Sequence, residues 1–356
     1  MTSLHFHHQT ISAHIFLTGA TGYIGGSVLT RLLSHPRSDT FKMTVLVRKT
    51  EQVSSFRSMG IRAVLGSNAD LALLRELAAD ADLVIACADA DDEDAAKAIL
   101  QGLKDRHEKT GKVPSLIHTV SVLADNAQGM YATDVIYSDL NIPQIESLPI
   151  TQPHRSVDIA VTNADHEGYV KTYIILPSTI YGIASGSLVD AGLQNPHSQQ
   201  IPMLMKLSQE RGRAGMVGEG KNIWPNVHIQ DVVDVYILII ESIIPHTSEE
   251  HGHRSRTPVA SPHFGHGAEG YYFCENGKHT LYAVGEAIGK VLVAHGKAKD
   301  ATPTPFTAEE TQRFFPGGTS LGSNSRCRAD RARAIGWKPI KTTKDMLASI
   351  KHEFKH

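Results

Sequence analysis

The run Leu17-Thr-Gly-Ala-Thr-Gly-Tyr-Ile-Gly-Gly26 sets glycines at 19, 22 and 25, directly after an apolar run and at the opening of a helical one. That spacing serves anion chemistry. One glycine permits a tight turn, one lets the backbone approach a pyrophosphate, and one lets the helix sit close on a sheet. The helix N-terminus then offers free N–H groups and a partial positive charge. A glycine triplet alone is weak evidence. Its placement between a strand and a helix is what points to a bound dinucleotide, with Gly19, Thr21, Gly22, Tyr23, Ile24 and Gly25 as expected contacts.

About twenty residues on, the second apolar run ends in Val45-Leu-Val-Arg48-Lys49-Thr50. An acidic residue there would grip the ribose 2′-hydroxyl of NAD(H), and a basic one accommodates the 2′-phosphate of NADP(H). No acid is present. Arg48 offers a planar fork and Lys49 a second charge, so NADP(H) is the expected cofactor ahead of NAD(H). The alternative is two surface cations at a strand end.

These residues need a scaffold, and the apolar pattern supplies one. Short β-branched runs at 14–18, 43–47, 62–65, 83–86, 115–120 and 173–176 alternate with helical stretches at 28–33, 71–77 and 95–103. Strands separated by helices are βαβ units, which build a parallel sheet covered on both faces. The expected fold is α/β: a doubly wound parallel Rossmann sheet over residues 12–182, with a strand and helix added near 225–245 and 270–276. Residues 183–356 are expected mainly to form a smaller C-terminal substrate lobe. Within it, 183–200 reads as loop, 201–211, 232–240 and 281–295 as helices, and 270–274 as a strand. The stretch 245–270 reads as a flexible loop; its histidines (His246, His251, His253, His263 and His266) lack metal-ligand spacing.

The combination resembles the extended branch of the short-chain dehydrogenase/reductase superfamily. Thr18-Gly-x-x-Gly-x-x-Gly25 is that branch's glycine pattern, and Leu176-Pro177-Ser-Thr-Ile-Tyr181-Gly182 is similar to the segment that touches the nicotinamide. Val227-His228-Ile-Gln-Asp231-Val-Val resembles its helix opening in the C-terminal lobe, and Ser323-Asn324-Ser-Arg326 with Gly336-Trp337-Lys-Pro339 its closing element. The resemblance implies an NAD(P)-binding Rossmann domain with a smaller substrate lobe. It adds Ala86, Cys87, Ala88, Thr119, Pro177, Ser178, Thr179, Ile180 and Tyr181 to the expected cofactor contacts.

One departure stands out. The superfamily usually pairs a substrate-binding Ser/Thr with a Tyr-x-x-x-Lys helix, the tyrosine acting as acid/base. Here no tyrosine has a lysine four residues later: Tyr131 is followed at that distance by Val135 and Tyr137 by Asn141. Thr119 or Ser121, closing the fifth strand, is the candidate for polarising a substrate oxygen. Counting back from Pro177 leads to Pro-His-Arg-Ser-Val-Asp158, where His154 could donate a proton with Asp158 orienting it, or be a surface histidine beside a helix-end charge. Tyr137 and Tyr131 are the other candidate donors, each also readable as a packed or surface tyrosine. Cys87 reads as a small buried residue rather than a nucleophile. The acidic run Asp89-Ala-Asp-Asp-Glu-Asp94 reads as first-turn complement to a helix dipole.

Composition narrows the function class. The chain has 356 residues, 41% of them hydrophobic and 20% charged, with 35 Lys+Arg against 37 Asp+Glu and a net charge of -2. That balance lacks the basic excess of a nucleic-acid binder. No apolar run approaches the roughly 20 residues that cross a bilayer. Three distant cysteines and a start without signal-peptide character fit a cytoplasmic protein. The expected function is an atypical extended NADP(H)-dependent oxidoreductase that reduces a small carbonyl or conjugated compound. The alternative is a catalytically silent NADP(H)-binding redox-sensing regulator or scaffold. A small-molecule substrate is the expected partner, with neither nucleic acid nor membrane, and a homodimer is left open.

Overall fold

The structure, a computed structural model, describes residues 12–121, 125, 127–244 and 261–354. Strands β1 (Ala13–Thr18), β2 (Phe41–Val47), β3 (Arg62–Leu65), β4 (Leu83–Ala86) and β5 (Ser115–Thr119) alternate with helices α1 (Tyr23–Leu33), α2 (Thr50–Ser58), α3 (Leu71–Ala79) and α4 (Glu93–Thr110). There follow β6 (Tyr137–Ser138), α5 (Ile142–Glu146), α6 (Arg155–His166) and β7 (Lys171–Pro177). The remainder comprises β8 (Thr179–Tyr181), α7 (Ser187–Asp190), α8 (Gln200–Arg211), β9 (Gly215–Met216), β10 (Ile223–His228), α9 (Ile229–Ile243), β11 (Tyr271–Cys274), β12 (Lys278–Thr280), α10 (Leu281–Ala294), β13 (Thr304–Pro305), α11 (Ala308–Phe314), β14 (Cys327–Arg328), α12 (Asp330–Ala334) and α13 (Thr343–Ser349).

Seven strands form one parallel sheet in the order β11-β7-β5-β4-β1-β2-β3. Strands β1, β4, β5 and β11 are buried at every position, so both pleat faces are covered and the runs are mostly apolar, with His14, Thr18, Ser115, His118 and Thr119 as buried polar members. Helix α1 packs on α9, and α4 packs on both α3 and α6. Arg31 ties α1 to α9 through Asp234 (2.6 Å) and Gln230 (2.9 Å). The strand order turns back on itself between β1 and β4. Outside their carboxyl ends lies the switch point, where open α/β sheets leave a crevice.

A second core gathers Tyr181, Leu204, Met205, Met216, Ile288 and Met346 beneath a three-stranded sheet, β12-β10-β8. The sequence segments 227–233 and 336–341 meet here. The Trp337 indole donates to the Asp231 carbonyl (2.8 Å), and the Asp231 carboxylate accepts from the amides of Ile340 and Lys341, both at 3.1 Å. A fully buried carboxylate thus closes the chain end onto the opening of α9.

Residues 183–199 are irregular apart from the single turn of α7, and Gln200 already opens α8. Of the expected loop at 245–270, residues 245–260, and with them His246, His251 and His253, lie outside the described residues. His266 pairs with Asp165 at 2.9 Å. Among the described residues no group of His, Cys, Asp and Glu is placed to hold a metal, and no helix is long and apolar enough to cross a membrane.

Candidate functional site

A cavity of ≈ 470 Å³ occupies the switch point. Thr18, Gly19, Thr21 and Gly22 wall it from the β1–α1 loop, and Leu46, Val47 and Arg48 from the end of β2. Cys87, Ala88, Asp89 and Asp92 close it from the β4–α4 loop.

The glycines divide the labour. Gly19 has φ +75°, and a Cβ there would stand 2.6 Å from the Cys87 carbonyl oxygen, so it serves both the left-handed turn and a close backbone contact. A Cβ on Gly25 would strike the Gly19 carbonyl, so its bareness seats α1 on the loop. Gly22 differs. A Cβ there would meet only the Gly19 oxygen at 3.1 Å, and the residue caps α1 with no side-chain hydrogen bond and no acid in the first turn. The amide of Gly22 is turned back to Gly19 O (2.9 Å). The next amides, on Tyr23, Ile24 and Gly25, open an eleven-residue helix and have no intrahelical acceptor. The cradle therefore fits a diphosphate: bare backbone, unpaired donors and a helix dipole on one spot.

Arg48 lines the cavity with its guanidinium unpaired among the described residues, while Lys49 is exposed and caps α2. The sequence reading missed Gly66, Ser67, Asn68 and Ala69, which close the cavity after β3. The Asp70 carboxylate fixes that turn by accepting from the Ser67 amide (2.7 Å) and hydroxyl (3.1 Å). The switch-point rule was the available signal, since it assigns every loop at the carboxyl edge to the crevice. Asn195, from segment 183–200, also reaches the cavity wall and carried no signal at all. The acidic run begins α4: Asp92 accepts from the Ala95 amide (3.0 Å), and Glu93 pairs with Lys97 (2.6 Å).

The reaction candidates are arranged less simply. Thr119 is buried, its hydroxyl 2.6 Å from the Tyr236 hydroxyl of α9 and 3.1 Å from the Cys87 sulfur. Burial pushes the Cys87 thiol up to about 11 and the Tyr236 phenol well above its ordinary range, so both stay protonated at neutral pH. Ser121 lies just past β5, half-buried. Tyr131 is exposed, and its carbonyl accepts from Asn324 (3.1 Å). Tyr137 is half-buried in the β6–β14 ladder, opposite Cys327.

His154 does not use Asp158. It precedes α6 at φ +68°; its carbonyl accepts from the Asp158 amide (3.2 Å), while its ring Nδ1 lies 2.6 Å from the Asp91 carboxylate instead. Asp158 is 2% exposed, with one carboxylate oxygen lacking a partner among the described residues. Burial raises its pKa to about 7 against the lowering effect of Arg155, whose Nη1 donates to the Tyr271 hydroxyl (2.9 Å).

After β7 the polar groups are engaged within the protein. Ser178 Oγ donates to the Cys274 carbonyl (2.9 Å), Thr179 Oγ1 to Gln200 (2.7 Å) and the Tyr181 hydroxyl to the Thr342 carbonyl (2.9 Å). Pro177 is buried, and Ile180 pairs with Val227 in the small sheet. None of the five lines the cavity at the glycine loop. Ala86, at the end of β4, does not line it either but borders a smaller pocket with Asn68, Asp89 and Asp92, and Ile24, half-buried, packs against the main core. The Tyr23 hydroxyl donates to the Gly182 carbonyl, joining the first helix to the chain beyond β8.

Residues 15–250 match the model of the NAD dependent epimerase/dehydratase family. An oxidase of Acremonium sp., ucsJ, is 31% identical over 342 residues, spanning 92% of this chain and 92% of the relative. Among solved structures, the UDP-glucose 4-epimerase of Thermotoga maritima with UDP-glucose superposes at a TM-score of 0.62 and 14% identity, covering 96% of this chain and 98% of that one. The dTDP-glucose 4,6-dehydratase of Bacillus anthracis in complex with NAD gives 0.63 and 16%, covering 96% of each. At those identities the structural likeness concerns the fold.

Proposed function

This chain belongs to the NAD-dependent epimerase/dehydratase family, and on that premise we propose that it is an NADP(H)-dependent oxidoreductase of the extended short-chain type that reduces a small carbonyl or conjugated compound. The observation that carries the reading is the cradle at the switch point, with helix-start amides that have no intrahelical acceptor at one side and Arg48, whose guanidinium has no partner among the described residues, lining the same cavity. Gly19, Gly22 and the first amides of α1 would hold the diphosphate, and Arg48 the 2′-phosphate. When bound, the nicotinamide gives or takes hydride.

The chain's own residues handle the oxygen and the proton. Ser121 is the group that binds the substrate oxygen, because the hydroxyl of Thr119 is already shared with Tyr236. The proton donor is one of Tyr131, Tyr137 and His154. For His154, the Asp91 carboxylate accepts from Nδ1–H and leaves Nε2 as the atom that would exchange a proton with substrate. Sugar-nucleotide epimerisation is disfavoured, since that chemistry relies on the tyrosine–lysine pair this sequence lacks.

The missing pair, together with the internally engaged hydroxyls after β7, also favours a second reading: an NADP(H)-binding regulator without turnover. One assay separates the two. Purified protein is incubated with NADPH and a panel of aldehydes, quinones and enones, and with NADP+ and the matching alcohols, since the Acremonium relative is called an oxidase. Disappearance or appearance of the reduced-nicotinamide band supports the oxidoreductase. Tight binding with no turnover across both panels supports the regulator.

A further inference from the structure

The segment Gln194–Ser198 reaches the wall of the coenzyme cradle at Asn195 and is pinned on both sides of it. On one side the Gln194 amide nitrogen donates to the Tyr23 carbonyl (3.2 Å) and sits 2.8 Å from the Ser27 hydroxyl, both on α1. The fit explains a fourth glycine that the pyrophosphate does not need: a Cβ on Gly26 would stand 2.5 Å from Gln194 Cγ. On the other side His197 Nδ1 lies 3.0 Å from the carboxylate of Glu353, whose side chain is only 4% exposed. Between the pins the Asn195 amide donates to the Thr21 carbonyl (2.9 Å) of the glycine loop. The Asn195 side chain bridges both main-chain groups of His197, at 3.0 and 3.1 Å, which stiffens the tip. Among the described residues Asn195 is also the only one from beyond β5 that lines the cavity.

We propose that residues 194–198 are a strap over the diphosphate-bearing dinucleotide, with Asn195 as its contact and the Gln194 and His197–Glu353 pins as latches that must open for the coenzyme to enter and leave. The proposal rests on the coenzyme reading and adds a gate to it. A fixed wall and a strap differ kinetically: losing a plain contact speeds release alone, whereas loosening a gate speeds both uptake and release. Each latch contributes the strength of one or two hydrogen bonds, so removing it should change both rates about tenfold.

The test is stopped-flow mixing of the full chain with NADPH, followed by a chase with excess NADP+, reading nicotinamide fluorescence. Gln194→Ala, His197→Ala and Glu353→Gln should each accelerate uptake and release together. The double variant His197→Ala/Glu353→Gln should go no further than either single change, because the pair is one latch. Faster release with unchanged uptake, or rates equal to the parent in all three variants, overturns the strap while leaving the coenzyme site intact. If the parent chain takes up no NADPH, the coenzyme reading itself falls. Glu353→Gln keeps the buried side chain's shape, so the trial survives even if Gln194→Ala fails to fold.

Discussion

The two halves of the central crevice are built by different means. At the β1, β2 and β4 ends the site is mostly backbone: bare glycines, helix-start amides without an intrahelical acceptor and one arginine around ≈ 470 Å³ of open space. Past β5 and β7 it is side chains, and most of their polar atoms are already engaged with one another. A backbone cradle admits one class of ligand and tolerates little change. A side-chain lining is set by partners far apart in the chain, so it can drift to new chemistry while the cradle stays.

The first half is the easier to break. Gly19→Ala forces a Cβ against the Cys87 carbonyl at a residue with φ +75°, combining left-handed strain with overpacking. The expected cost is about 3 kcal/mol of stability in denaturant unfolding, with NADP(H) binding lost by calorimetry. If Gly19→Ala binds coenzyme like the parent, the cradle does not lie at this loop.

On α6, away from the cavity lining, a buried carboxyl sets the largest pH effect. The folded pKa of Asp158, about 7, lies above its unfolded value. Between about pH 4 and 7 the folded state therefore holds the extra proton, so stability is greatest below that window and falls as pH rises through it. At roughly 1.4 kcal/mol per unit, the full drop approaches 4 kcal/mol. Asp158→Asn should flatten the curve of unfolding free energy against pH over this range. A slope unchanged from the parent would mean that Arg155 already holds the carboxylate ionised.

Arg48 sharpens the comparison from the cradle side. A guanidinium–phosphate pair contributes about 1.5–3 kcal/mol. Arg48→Asp, which also adds repulsion, should weaken NADPH binding about a hundredfold and NADH binding only a few-fold. Equal weakening of both would remove the 2′-phosphate from this position.

The same contrast decides what could be read from sequence. The sheet was legible because most of its strands are buried on both faces, so they appear as mostly apolar runs bounded by turns; the edge strand β3 exposes both its end residues. Helix α2 was not, since it buries only Phe56 and shows no stripe. The cradle was legible because glycine spacing is local. Asn68 and Asn195 were not, because they reach the cavity from loops about 50 and 170 residues further along the chain, and nothing local distinguishes them from other polar loop residues. Orientation was the other blind spot. His154 and Asp158 are spaced to share a helix face, yet the His154 ring pairs with Asp91 instead.

The smallest effect tests how the halves join. Cys87 belongs to the cradle wall and Thr119 to the reaction end, and the Tyr236 hydroxyl reaches both, 2.6 Å from Thr119 and 3.9 Å from the sulfur. Tyr236→Phe keeps the ring packed in the core and deletes only that bridge. Thr119 retains Cys87 as a partner, so its hydroxyl is not stranded, and the expected loss is about 1 kcal/mol in denaturant unfolding. Freed from Tyr236, the Thr119 hydroxyl becomes available to a substrate oxygen alongside Ser121. If the bridge is what withdraws Thr119 from the reaction, the Tyr236→Phe background should make Ser121→Ala less damaging to turnover than it is in the parent chain. Identical losses in both backgrounds would show that Thr119 stands outside the reacting group's reach whether or not it is held.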